Sequence, residues 1–265
     1  MGRTIVTTSH KPDIESLELA RQASMEIPAV FVSRERLSLD RLRELYNSEN
    51  VLVINKERAT LHTSLGEYHF HPSMAVPRIK AIRQGKPDHM VQAMGLQRGD
   101  SILDCTLGLG SDAIVASFVT GCDGRVVGIE AAPELAYIVR HGLANYAGNS
   151  EALREAMSRI EVICADSERH LAQQPAGSFD IVYFDPMFRV PRERSSSMAP
   201  LREVVNPEPL TACMMEEARR VARKRVVMKE NSFSREFGRL GFTEIYGGRY
   251  SPVAFGVIDK QEAGT

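Results

Sequence analysis

Four carboxylates stand where apolar runs end. Asp104 closes Ile102-Leu103, Glu130 closes Arg125-Val-Val-Gly-Ile, Asp166 follows Ile160-Glu-Val-Ile-Cys-Ala, and Asp185 follows Phe179-Asp-Ile-Val-Tyr-Phe. Between the first two lies a glycine turn, Leu107-Gly-Leu-Gly-Ser-Asp112, with Gly108 and Gly110 ahead of the helical run Ala113-Ile-Val-Ala-Ser-Phe. A strand, a glycine turn and a helix bring backbone N–H groups and a helix N-terminus up to a nucleotide-like ligand. A dinucleotide fits, because Gly-x-Gly-x-x-Ala followed by an acid about twenty residues on describes that fingerprint. S-adenosylmethionine (SAM) fits equally, with Asp104 near its amino-acid end. Glu130 is placed to accept from two ribose hydroxyls in either case; the bland alternative is a solvent-facing Glu after a strand. In a SAM enzyme Asp166-Ser167 is where a polar side chain reads the adenine amino group. Alternatively, Asp166 only caps the helix Ser167-Glu-Arg-His.

The fourth carboxylate separates the two ligands. Asp185 opens Asp185-Pro186-Met-Phe188. A hydride-transfer enzyme has no need of that sequence, whereas an enzyme that methylates an exocyclic amino group does. The amino nitrogen of a base is conjugated with its ring and is a poor nucleophile. Acceptors that polarise its N–H bonds help it attack, and Asp185 Oδ with the Pro186 carbonyl supply them from a proline-stiffened turn. Phe188 offers a face on which an extruded base can stack. The rival is an ordinary turn with an aromatic dipping into the core. Arg189, Arg192 and Arg194 follow, opposed only by Glu193. They are placed to hold phosphates beside the target base, or they form a merely solvated loop.

The elements that must position these groups follow from periodicity. Thr4-Ile-Val-Thr-Thr, Ala29-Val-Phe-Val and Val51-Leu-Val-Ile read as strands. Helices opened by Asp13 and Ser38 separate them, and a hairpin around Gly66 follows over Thr60 to Phe70. This predicts a small α/β unit over residues 1–72. Helices on either side of Gln84-Gly-Lys-Pro make a linker over 73–95, and a catalytic domain occupies 96–265. Beyond the glycine turn, strands are expected at 125–130, 160–164, 179–184, 224–229, 242–246 and 252–258. Helices are expected at 133–146, 207–221 and 233–240.

Two further clusters invite chemistry. His69-x-His71 puts two imidazoles on one face of a strand, but no Cys, Asp or Glu stands at ligand spacing, so no metal site is expected. Arg78, Lys80, Arg83 and Lys86 are either a solvated helix face or a phosphate-binding one.

The 265 residues carry a net charge of −1, so any polyanion site must come from local clustering of Arg and Lys. Four widely spaced cysteines without a C-x-x-C argue against a zinc site or a disulfide framework and fit a reducing cytosol. With no apolar run of membrane-spanning length and no signal-peptide pattern, a soluble cytoplasmic protein is expected.

Asp104-Cys-Thr-Leu-Gly-Leu-Gly-Ser-Asp112, then Glu130, then Asp185-Pro-Met-Phe188, resembles class I SAM-dependent methyltransferases. More narrowly it resembles the RsmJ/YhiQ family, which methylates guanine N2 in small-subunit ribosomal RNA. Its specific part is the tetrapeptide, because most amino-directed methyltransferases carry Asn/Asp-Pro-Pro-aromatic. The resemblance covers residues 100–258. It implies an α/β, Rossmann-like fold with a seven-stranded, mostly parallel sheet closed by an antiparallel hairpin. It also implies SAM contacts at Ser111, Asp112, Glu130, Ala131, Asp166, Ser167 and Asp185, beside the Asp104, Gly108 and Gly110 of the turn. The implied partner is ribosomal RNA or the small ribosomal subunit. The family's Ser-Ser-like pair is here Asp166-Ser167, and its Lys-rich stretch is here Arg189-Val-Pro-Arg-Glu-Arg194. The rival functions are a methyltransferase acting on DNA, protein or a small molecule, an NAD-linked oxidoreductase, and a non-catalytic RNA-binding assembly factor.

Overall fold

The structure, a computed structural model, describes residues 4–72, 74–148, 150–186, 209–248 and 251–260. These fall into two compact units.

The first unit takes residues 4–71 and 131–148. Its elements are β1 (Thr4–Thr8), α1 (Ile14–Glu26), β2 (Ala29–Phe31), α2 (Leu39–Tyr46), β3 (Asn50–Ile54), β4 (Ala59–Thr63) and β5 (Gly66–His69). The strands form one sheet in the order β2-β1-β3-β4-β5. β1 runs parallel to β2 and β3, and the next two pairings are antiparallel. This is the expected β-α-β-α-β run followed by a hairpin. Asp13 caps α1 by accepting from Ser16 N at 2.7 Å, and Ser38 caps α2 by accepting from Arg41 N at 3.1 Å. β1 is buried along its whole length, as a central strand covered on both faces must be.

The second unit begins with α3 (Ala75–Arg83) and α4 (His89–Met94) and continues with β6 (Ser101–Asp104), α5 (Ser111–Thr120) and β7 (Arg125–Glu130). The chain then passes through α6 (Pro133–Asn145), which groups with the first unit, and returns. The remaining elements are α7 (Glu151–Ser158), β8 (Ile160–Cys164), α8 (Ser167–Gln173), β9 (Phe179–Phe184), α9 (Ala212–Val221), β10 (Ala222–Asn231), α10 (Glu236–Leu240), β11 (Glu244–Tyr246) and β12 (Val253–Asp259). α7 is absent from the sequence-based expectation, although Ser150 at its N-cap and buried Leu153, Ala156 and Met157 carry its signature. α9 starts later than the expected Pro207: Thr211 accepts from Met214 N at 3.0 Å and so begins the helix at Ala212.

Among the described residues the second sheet has seven strands in the order β11-β12-β10-β9-β6-β7-β8. Neighbours from β10 to β8 are parallel, and β12 runs antiparallel between β10 and β11. The expected terminal hairpin is present, with its later strand on the inside. The centre of the parallel region is apolar, and Phe179, Ile181, Val182, Tyr183 and Phe184 of β9 are all buried. Strand order reverses beside β6, so the crevice beyond the carboxyl ends of β6, β7 and β9 is the switch point where such sheets take ligands.

Candidate active site

Register brings the groups at this crevice together. Asp104 pairs with Tyr183 across β6 and β9, and Met228 pairs with Phe184 across β10 and β9. Asp185, just past the end of β9, and Lys229, one residue beyond Met228 in β10, therefore lie side by side. Lys229 Nζ donates to Asp185 Oδ2 at 2.6 Å and to Asp112 Oδ2 at 3.0 Å. Tyr183 OH donates to the same Asp112 oxygen at 2.8 Å, and Arg78 Nη1 donates to Asp112 Oδ1. Arg78 also grips Asp88 through Nε and Nη2 at 2.7 and 2.9 Å. Asp88 in turn caps α4, accepting from Met90 N and Val91 N. Of the basic cluster, Arg78 of α3 thus belongs to a partly buried ion network, whereas Lys80 and Arg83 of α3 and Lys86 beyond it are exposed.

The two carboxylates flanking Lys229 differ in access. The Asp112 side chain is 11% exposed and that of Asp185 is 28% exposed. Burial opposes ionisation of Asp112, but Lys229 and Arg78 outweigh it and hold its carboxyl well below the usual range. At Asp185 burial prevails and raises the carboxyl to about 6, with Lys229 pulling back and Asp112 adding to the rise. Burial works against the Lys229 ammonium, yet its two acidic neighbours raise it above the ordinary lysine value. Burial and the surrounding carboxylates push the Tyr183 phenol up, so it remains a donor. Asp112 is therefore the fixed anion of the network, and Asp185 is the carboxylate a ligand can reach.

The glycine turn lies beside this network. Gly108 and Gly110 have φ of +52° and +72°, a region that favours glycine, and Gly110 stands at the N-cap of α5. Glu130 accepts from Gly108 N at 3.2 Å, tying the end of β7 to the turn. Thr106 donates its N–H to Asp104 Oδ1 at 3.0 Å and accepts from Asp185 N through Oγ1. Asp104, buried at the end of β6, has its carboxyl pushed up to about 8 by burial, reinforced by Asp112 and Asp185. Ser167 donates its hydroxyl to the Cys105 carbonyl, which pins the start of α8 to the same turn. Asp166 caps α8 by accepting from Arg169 N at 2.9 Å, the role weighed against adenine reading. Ser111 opens α5, and Ala131 follows Glu130 as the first residue that groups with the other unit. Phe188, Arg189, Arg192 and Arg194 lie outside the described residues; Pro186 is the last described position of its segment.

The turn fits SAM. A Cβ at Gly108 would meet nothing nearer than the Thr106 carbonyl oxygen at 3.9 Å, so space is open above it. The nearly buried Glu130 carboxylate suits ribose hydroxyls, and Asp104 suits a cationic amino group. Among the described residues no group of three or more His, Cys, Asp or Glu gathers as a metal ion requires, and no helix is long and apolar enough to cross a membrane.

Sequence reasoning passes over Lys229, Tyr183 and Thr106, and it reads Arg78 as part of a solvated or phosphate-binding helix face, where the structure pairs it with Asp88 and Asp112. The available signal was a lone lysine at the end of Val226-Val-Met, in the strand that must neighbour the one carrying Asp185.

Comparison with known proteins bears on the same residues. Residues 35–237 match the profile of a family described as "Putative SAM-dependent methyltransferase". The chain is 42% identical over 240 residues to "Uncharacterized protein YpiP" of Bacillus subtilis, covering 90% of this chain and 93% of that protein. It is 37% identical over 150 residues to "Ribosomal RNA small subunit methyltransferase J" of Laribacter hongkongensis, a match spanning 55% of this chain and 51% of that one. In fold it is similar to the SAM-dependent methyltransferase NGO1261 of Neisseria gonorrhoeae, with a TM-score of 0.67, 19% identity, and coverage of 98% and 97% of the two chains.

Proposed function

This chain belongs to the family of SAM-dependent methyltransferases, and from that premise we propose that it methylates an exocyclic amino group of a nucleobase, guanine N2 of small-subunit ribosomal RNA. The observation that carries this reading is the Asp185 carboxylate: partly open, hydrogen-bonded to Lys229, and anchored through its backbone N–H to the Thr106 hydroxyl of the glycine turn. The similarity to proteins named as small-subunit ribosomal RNA methyltransferases supports the choice of substrate.

SAM supplies an electrophilic methyl group, whose bond to sulfur breaks, the electron pair staying on sulfur, as the bond to nitrogen forms. The chain's task is to ready the nitrogen and remove its proton. Asp185 and the Pro186 carbonyl accept from the two N–H bonds and so raise electron density on nitrogen as it attacks. The Asp185 carboxylate then takes the proton that nitrogen must lose and passes it to water, a task suited to a group titrating near 6. Glu130 holds the ribose, and Asp104, ionised once an ammonium docks, holds the amino-acid end. Ser111, Asp112, Ala131, Asp166 and Ser167 frame the cofactor, with Asp112 acting through the ion network. Phe188 supplies the stacking face, and Arg189, Arg192 and Arg194 hold the flanking phosphates.

The test is genetic. Ribosomal RNA from a strain lacking the gene should lose one N2-methylguanosine, and a plasmid copy should restore it. Unchanged modification in the deletion strain would reject the ribosomal substrate.

A further inference from the structure

We propose that Lys229 is the positioning residue of the transfer step: its ammonium, bridging Asp112 and Asp185, keeps the Asp185 carboxylate ionised and oriented to accept from the substrate's amino group. This rests on the role given to Asp185 under the proposed function.

The geometry carries it. Lys229 Nζ lies 2.6 Å from Asp185 Oδ2 and 3.0 Å from Asp112 Oδ2, so one cation is shared by two carboxylates. Among the described residues the groups facing Asp185 are Asp104 from β6, Asp112 from α5, Tyr183 from β9 and Lys229 from β10. Arg78 of α3 touches Asp112 and Asp88. Among the described residues Lys229 is therefore the cation in direct contact with Asp185, while Arg78 stabilises the other anion. Without Lys229, Asp185 would sit in a partly buried place beside two acids. A carboxyl so placed holds its proton near neutrality and then has a donor where the substrate needs an acceptor. Holding Oδ2 also fixes the rotamer of the side chain, because Lys229 is itself anchored on Asp112.

Protein labelled with 13C at the aspartate carboxyl carbons, with D185N to assign the Asp185 signal, tests the pairing without any substrate. In K229M the Asp185 midpoint should rise by about two pH units, while K229R should keep it within about half a unit. D112N, which removes the competing anion, should lower the midpoint. That variant, together with K229R, decides the matter if thermal melts show K229M unfolded. In parallel, the acidic limb of the kcat profile on ribosomal RNA should move with the NMR midpoint in K229M. The kcat at pH 7 should fall about tenfold and recover by pH 9, with the SAM Kd changed less than about threefold. Unshifted midpoints in K229M, or in D112N should K229M not fold, overturn the proposal. If D185A abolishes transfer while K229M keeps the wild-type pH profile, Lys229 alone loses its role. If D185A keeps full kcat, the reading of Asp185 falls first.

Discussion

A carboxylate that must polarise an amino group works only from a fixed position and in its ionised form. D185A should therefore lower kcat by at least about 100-fold, the scale of losing one preorganised polar group at a reacting centre. Its SAM Kd, read by equilibrium dialysis, should stay within about threefold. Asp104 makes a different prediction. Its folded value of about 8 lies above the ordinary 3.8, so the folded state binds the extra proton between those limits. The stability linked to that proton is complete below about pH 4 and is lost as pH rises through about 8. The melting temperature of D104N relative to wild type should accordingly climb from pH 5 to pH 8, and a flat difference would refute the assignment. At this scale the sequence is informative where a residue's type and its strand-end position coincide, as for Asp104, Glu130 and Asp185. It is silent on partners that meet only in the fold: Arg78 is 34 residues from Asp112, Tyr183 is 71 and Lys229 is 117. A lysine at the end of an apolar strand has no periodic signature that tells a buried bridge from a solvated tip.

At the scale of elements, alternation and caps made the first sheet readable, because each strand there is short and bounded by turn residues. The parallel strands of the second sheet are readable as short β-branched and aromatic runs interrupted by single charges. That an antiparallel hairpin closes the sheet came with the resemblance, and the position of β12 between β10 and β11 came only with the structure, since pairing order leaves no local trace. Two glycines mark close approaches that periodicity does not reveal. A Cβ at Gly128 in β7 would lie 2.4 Å from the Leu107 side chain of the glycine turn, and one at Gly142 in α6 would lie 2.2 Å from the Phe70 ring. Each is overpacking, which costs about 1–3 kcal/mol. G128A should both lower the melting temperature and weaken SAM binding about tenfold, because Leu107 must move with the turn. G142A should lower the melting temperature and leave SAM affinity within threefold. Calorimetric titration of the two variants separates these effects.

At the scale of the whole molecule, a net charge of −1 provides no general attraction for a polyanion. On the proposed function, RNA affinity must then be local and salt-sensitive in proportion to the few cations engaged. Replacing Arg189, Arg192 and Arg194 by Ala should raise the KM for RNA and reduce the log–log salt slope by about 2, at roughly 0.7 per phosphate contact on single strands. SAM affinity should be untouched. A slope equal to wild type would place the RNA contacts elsewhere, the exposed Lys80, Arg83 and Lys86 being the next to test. The central claim concerns the chemistry at Asp185, and one measurement reaches it directly: transfer of labelled methyl from SAM to unmodified small-subunit RNA, free and assembled, followed by nucleoside analysis. The account predicts label in N2-methylguanosine alone with the wild-type protein and none with D185A. Label in any other nucleoside, or equal labelling by D185A, would contradict it.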